Sequence, residues 1–213
     1  MDAPPARRIV CFGDSITEGG EFLPAQRWTT LLQQDLDEWQ PKAWRVYRRG
    51  VGGHTSAQGL ARFAKDVQPL LPAIVLVEFG FNDANVYDWT ASPRVALADY
   101  VANLREIHRL IVGSGECVFV INHSIGAIDG RQGNGQSYND NFAPYEAALR
   151  KLIAQLGAPS IDLPALMREV RADPGRFLAE DGLHLCVEGN RLYAGLVFGA
   201  LKPLLTGNLQ KAI

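Results

Sequence analysis

Short apolar or β-branched runs alternate along this chain with longer segments that carry apolar residues at helical spacing, and this alternation restricts the available folds more than any other feature. The runs are Ile9 to Phe12, Trp44 to Tyr47, Ile74 to Phe79, Val118 to Ile121 and Ser160 to Asp162. The amphipathic segments are Arg27 to Glu38, Thr55 to Val67, Pro93 to Val112 and Asn141 to Leu156, with Gly189 to Leu201 as a closing helix. Runs this short and this rich in branched residues read as strands, and the longer periodic segments read as helices. Helix punctuation agrees: Ser92-Pro93 predicts a cap followed by a first-turn proline, and Gly113 and Gly157 predict stops. Strand-helix alternation requires a parallel sheet covered on both faces. The expected fold is therefore α/β, a three-layer α/β/α sandwich with a five-stranded parallel sheet, doubly wound in the flavodoxin-like manner. With 213 residues and no repeat, linker or low-complexity tract to divide them, a single domain over 1–213 is expected.

Charge and composition narrow the partners. Twenty-one basic and 23 acidic residues are well mixed and leave a net charge of −2, so nothing favours nucleic acid or an anionic membrane surface. The most apolar stretch, Leu70 to Phe81, is too short to span a bilayer and holds Pro72 and Glu78. Met1 to Arg8 lacks the apolar centre of a signal peptide, and the expected location is cytoplasmic. Cys11, Cys117 and Cys186 are an odd set without paired spacing and read as reduced thiols, with Cys186 close enough to His184 to line a pocket. Glu78, Asp83 and Asp88 make no ligand spacing with histidine or cysteine, so no metal is expected. Gly50-Val51-Gly52 begins like a dinucleotide fingerprint, but Thr55 takes the third glycine position and no cofactor is expected. The partner that remains is a small molecule. Oligomeric state has no sequence signature here.

In open α/β sheets ligands bind outside the carboxyl ends of the strands. Four segments fall at such ends or close the chain: Gly13-Asp14-Ser15, Gly50-Val51-Gly52-Gly53-His54-Thr55, Gly80-Phe81-Asn82-Asp83 and Asp181-Gly182-Leu183-His184. The loop Asn122 to Asp140 follows the fourth strand, is too long for a plain connection, and is expected to overhang the crevice. Asp14, His54, Phe81 and His123 lie in or beside these loops and are candidates for substrate contact. Phe81, Tyr87 and Trp89 cluster after the third strand and belong either to the pocket or to the core. Glu78 interrupts an apolar strand and needs a partner, a loop amide or an arginine being expected. His108 reads as structural. Ser124, in Asn122-His123-Ser124-Ile125-Gly126, is one glycine short of a nucleophile elbow.

Taken in order, the four segments resemble the SGNH hydrolase superfamily, the GDSL-type esterases and lipases, over nearly the whole chain from Phe12 to the closing helix. The resemblance implies that Ser15 is the nucleophile, that Gly53 and Asn82 join the Ser15 amide as oxyanion donors, and that Asp181 and His184 complete a triad. Arg48, where the second block commonly has asparagine, and Cys186-Val187, where Asn-Pro often follows the histidine, depart from the pattern without removing a catalytic atom. The chemistry suits these residue types. A serine hydroxyl needs a base to take its proton, and imidazoles titrate at roughly 6.5. A carboxylate three residues before the histidine can fix its tautomer, and the tetrahedral intermediate needs donors aimed at its oxyanion. The expected activity is that of a serine esterase working through an acyl-enzyme on short-acyl, acetyl esters, with carbohydrate as the favoured carrier. An acyltransferase or thioesterase with the same triad is the alternative, and a non-catalytic binding module would require a missing triad member.

Overall fold

The computed structural model describes residues 6–128 and 130–210, so residues 1–5 of the amino-terminal stretch, residue 129 of the long loop and residues 211–213 lie outside the described ones. In chain order the elements are β1 (Arg7–Gly13), α1 (Ser15–Glu18), α2 (Trp28–Trp39), β2 (Trp44–Gly50), α3 (Ser56–Asp66), β3 (Ile74–Glu78), α4 (Phe81–Ala84) and α5 (Leu97–Val112). They continue with β4 (Glu116–Ile121), α6 (Tyr138–Leu156), β5 (Ser160–Asp162), α7 (Leu163–Glu169), α8 (Pro174–Phe177) and α9 (Val187–Gln210). The five strands pair in parallel in the order β2-β1-β3-β4-β5, the flavodoxin-like winding expected. Helix α2 packs on α9 and α9 on α7, while α3 packs on α5 and α5 on α6, giving one helical layer for each face of the sheet.

Burial on both faces explains why the inner strands β1, β3 and β4 carry continuous apolar runs, whereas the edge strands β2 and β5 are only partly buried. Ile9, Val10, Cys11 and Phe12 of β1 are fully buried, and the Phe12 ring meets Phe63 and Phe79 edge-on at 6.2 and 5.3 Å. Register then sets the site: Gly13 of β1 lies opposite Gly50 of β2 and Glu78 of β3, so three strands end level with one another. Their following loops leave from one edge.

Helix α9 runs Val187–Gln210, well past the expected end at Leu201, and two helix starts also differ from the sequence reading. Helix α5 begins at Leu97 with Ala96 as its uncapped N-cap, not at Ser92-Pro93. The backbone N–H groups of Arg94 and Val95 donate instead to Asn85 O and Asp83 O, at 3.0 and 3.2 Å, and hold this segment against the loop after β3. Helix α6 begins at Tyr138 behind Ser137, whose hydroxyl accepts from the Asp140 amide, so the long loop is shorter than expected. Gly157 ends α6 in the left-handed conformation, as its position predicts. Cys11 and Cys117 are buried free thiols, and Cys186 is half-buried with its thiol against Arg176 O rather than on the wall beside Ser15. Among the described residues no helix is long and apolar enough to cross a membrane, and no cluster of three His, Cys, Asp or Glu side chains is placed to hold a metal ion.

Candidate active site

At the end of β1 the chain turns at once into α1, and Asp14 makes the turn possible. Its Oδ1 accepts from the Ile16 amide at 3.0 Å, capping the helix and putting Ser15 in the first helical position. Ser15 Oγ stands 3.0 Å from His184 Nε2. His184 Nδ1 in turn lies 2.5 Å from Asp181 Oδ2, while Asp181 Oδ1 accepts the backbone N–H groups of Leu183 and His184, each at 2.9 Å. Burial opposes ionisation of Asp181, but the bonds from the His184 ring and these two amides outweigh it and hold its carboxyl below the usual range. Three side chains predicted from two loops 166 residues apart, Ser15 on one and Asp181 with His184 on the other, thus stand in one series.

The second and third loops are fastened to the same turn. Gly53 has a φ of +72°, the left-handed region that its lack of a side chain permits. The Glu18 carboxylate at the end of α1 accepts the Gly52 amide at 2.8 Å, and Arg48 donates to Glu18 O at 2.9 Å. Gly50 leaves the room this requires, because a Cβ there would meet the backbone of Thr17 and Glu18. From the third loop, Asn82 Nδ2 donates to Asp14 Oδ2 at 3.0 Å, which leaves its other amide hydrogen available for a second acceptor. Asp83 is buried and accepts both the backbone N–H and the hydroxyl of Ser56, tying the third loop to the start of α3. Burial nevertheless pushes its carboxyl up to about 6.

This arrangement has known relatives. The profile of the GDSL-like lipase/acylhydrolase family matches residues 11–192. The chain belongs to that family. Among curated proteins it is similar to the isoamyl acetate-hydrolyzing esterase 1 homolog of Bos taurus, at 28% identity over 93% of this chain and 81% of the relative. It is equally similar, at 28% identity over 95% of this chain and 87% of the relative, to thioesterase 1/protease 1/lysophospholipase L1 of Escherichia coli. Among solved structures, the lipase/acylhydrolase of Enterococcus faecalis superposes with a TM-score of 0.76 at 26% identity, covering 92% of this chain and 96% of that one. The chain is a GDSL-type ester hydrolase.

Three expected substrate contacts of this GDSL hydrolase are buried instead. Asp14, at 0% exposure, is spent on Ile16 and Asn82. Phe81, at 2%, packs between the His123 and Phe142 rings, 5.3 and 4.7 Å away. His123, at 1%, lies 2.8 Å from Leu183 O through Nε2, so it braces the loop that carries His184. Burial depresses its pKa to about 4, which keeps it neutral with Nε2 as the donor. His54 is half-buried beside Gly53, with burial and then the charges of Arg62 and Arg94 lowering its pKa. Asn122, which precedes His123, is buried as well. His108 stacks on Phe119.

Glu78 is 2% exposed and meets the backbone amide of Asp14, the loop amide expected, rather than an arginine. Thr17 Oγ1 donates to its Oε2 at 2.9 Å, and its carboxyl bonds that of Asp14. Gly13 makes this possible, since a side chain there would meet both Thr17 Oγ1 and Glu78 Oε2. Burial and then the neighbouring Asp14 charge raise Glu78 well above the ordinary carboxylate range, while Asp14 rises to about 6. The residue that sequence reading missed is Arg94. One nitrogen of its guanidinium donates to Asn82 Oδ1 at 3.0 Å and another to Gly53 O at 2.8 Å, so a single side chain clamps the second and third loops together. The only signal it left was an arginine in the expected first turn of α5.

Proposed function

We propose that this GDSL hydrolase is a serine esterase acting on short-acyl esters, acetyl esters above all, with Ser15, His184 and Asp181 as its triad. The observation that carries the reading is the 3.0 Å approach of Ser15 Oγ to His184 Nε2, backed by the 2.5 Å contact to Asp181. Ser15 Oγ attacks the acyl carbonyl as His184 Nε2 takes its proton; the carbonyl π bond becomes the oxyanion. Collapse of the tetrahedral intermediate expels the alcohol, which receives that proton from His184, and leaves the acyl group on Ser15. Water, deprotonated by His184, then attacks the acyl carbonyl, and the second collapse returns the proton to Ser15 Oγ and releases the acid. Asp181 stays ionised throughout and holds the ring. The Ser15 amide, the Gly53 amide and the free amide hydrogen of Asn82 stabilise the oxyanion.

The short acyl preference rests on the depression beside the nucleophile, which is shallow and bounded by Ile16, Gly19, Phe22 and Leu185. A long chain finds no channel there. A polar, glycine-rich loop between β4 and α6 favours a hydroxylated carrier for the ester, hence carbohydrate. The thioesterase named among the relatives keeps a second reading in view, thioester cleavage or acyl transfer by the same three residues. Product analysis with competing alcohols and a thioester of the same acyl group separates these.

Ser15→Ala tests the core of the reading. Hydrolysis of p-nitrophenyl acetate is expected to fall by about 10⁴-fold or more, and a fluorophosphonate probe is expected to label the native protein but not the variant. Turnover persisting in Ser15→Ala overturns the assignment.

A further inference from the structure

Trp89 is 79% exposed, yet its indole lies parallel to the Tyr87 ring, 4.7 Å away and tilted by 11°. An ordered aromatic pair on the surface leaves one broad face of the indole open to a ligand or a partner. Its position connects it to the reaction. The Arg94 guanidinium stands 5.4 Å from the Tyr87 ring and is the group that bonds Asn82 and Gly53. Moving outward from the nucleophile, the order is therefore Ser15, the two oxyanion-donor loops, Arg94, Tyr87 and Trp89.

The mount is built in advance. Thr90 N–H closes a turn on Tyr87 O at 2.9 Å, and the Thr90 hydroxyl bonds Ser92 O. Gly133 of the long loop lies so close that a Cβ would meet the carbonyls of Tyr87, Asp88 and Thr90. Gln132 beside it bonds the Asn85 side chain and the Val86 amide. The long loop thus uses its polar residues to hold the aromatic pair still, which lowers the ordering cost of any ligand that docks there.

We propose that Tyr87 and Trp89 form a platform at the lip of the crevice that receives a sugar ring of the substrate's alcohol part, with Trp89 supplying the stacking face. This rests on the esterase reading above and specifies its leaving group. A pyranose offers a flat face of C–H groups and a rim of hydroxyls. The neighbours of the indole suit that rim, because Asp88 and Ser92 are exposed and polar. A fatty alcohol would need an apolar channel, and these neighbours do not make one. Two rings also fall far short of the ~800 Å² per partner that a stable protein interface buries. Because Arg94 and Tyr87 stand between the ester carbonyl and the indole, the ring on Trp89 is one linked to the acetylated sugar. The platform reads a disaccharide or longer.

The test compares acetylated xylobiose with ethyl acetate, which has no ring, in the native protein, Trp89→Ala and Trp89→Phe. The ratio of kcat/KM on the disaccharide ester to that on ethyl acetate is expected to fall about tenfold in Trp89→Ala, mainly through KM, and to recover in large part in Trp89→Phe. At this exposure the substitution leaves the core untouched, and the ratio cancels any general loss. An unchanged ratio overturns the platform, whether or not Trp89→Ala alters sedimentation; a sedimentation change marks the stack as a self-association contact. Failure of the esterase reading is visible separately, as native protein that hydrolyses neither ester. In that event nuclear magnetic resonance titration with unacetylated xylobiose still decides: saturable shifts that Trp89→Ala abolishes support the platform, and their absence in the native protein overturns it.

Discussion

A carboxyl group enclosed by Thr17, Asp14 and the backbone of Gly13 avoids the cost of a second buried charge by keeping its proton. Glu78 then presents a hydroxyl to Asp14, and Asp14 as the ionised member accepts both that hydrogen and the Asn82 amide. If this is how the donor amide is aimed, a neutral isostere should serve almost as well as the acid. Glu78→Gln is expected to retain most of kcat on p-nitrophenyl acetate, because its amide can donate to Asp14 and accept from Thr17. Glu78→Ala is expected to approach the ~10²–10³-fold loss expected of Asn82→Ala, the deletion of the proposed side-chain oxyanion donor. Equal losses in the Gln and Ala variants would remove Glu78 from this role. That Ser15, Asp181 and His184 would come together was legible in the sequence, because the proposed chemistry needs those residue types on converging loops. The sequence could not show which way a side chain faces beyond a strand end, so Asp14, Phe81 and His123 read as pocket residues although they point inward. Arg94 was illegible for the same reason, its two partners lying 12 and 41 residues away.

Elements near the site are joined by bonds that no local pattern reveals. Helix α2 has Arg27 at its N-cap with no side-chain cap, and the orphan N–H of Trp28 is instead accepted by Asn190 Oδ1 of α9 at 3.0 Å. Asn190 Nδ2 also donates to Cys186 O at 3.0 Å, two residues beyond His184. One buried amide therefore caps α2 from another helix and fixes the turn that brings His184 to Ser15. Asn190→Ala is expected to cost about 1–3 kcal/mol, because the Trp28 amide is left unpaired and buried. Urea denaturation measures this as a lower midpoint with an unchanged slope. Strands β1, β3 and β4 were legible because burial on both faces writes a nearly uninterrupted apolar run, while the edge strands β2 and β5, only partly buried, were read from shorter β-branched or apolar runs. The short helices α7 and α8 were not, since 7 and 4 residues are too few for a helical period to stand out. The Ser92-Pro93 signal misled because backbone bonds to Asp83 and Asn85 outbid the local preference for a cap.

Across the whole molecule, buried acids and a buried imidazole set opposite pH dependences, and their balance is measurable. Asp14 and Asp83 move from an ordinary 3.8 to about 6 on folding, and Glu78 moves up as well. The native chain therefore holds protons that the unfolded chain has lost. Their contribution is complete below about pH 4 and declines as pH rises through about 6. His123 works the other way: its pKa falls from 6.5 to about 4, so the unfolded chain binds the extra proton and stability rises with pH across that interval. His123 offsets roughly one carboxyl; His54 and His108, also lowered by burial, act on its side and Asp35, raised by burial, on the other, and the large upward shifts of Asp14, Asp83 and Glu78 leave the acids dominant. Asp162 and Asp181, both held below 3.8, subtract stability only at lower pH still. Tm is accordingly expected to fall between pH 4.5 and 7 rather than rise to a neutral plateau. Asp83→Asn removes one titrating acid and is expected to flatten that slope; His123→Phe removes the opposing group and is expected to steepen it. Calorimetric Tm read across this range for the three proteins checks both signs at once, since a general loss of stability displaces each curve without changing its slope. A native curve that rises toward neutral pH would mean that the carboxyls around Ser15 are ionised in the folded protein, and that Glu78 cannot be the donor to Asp14.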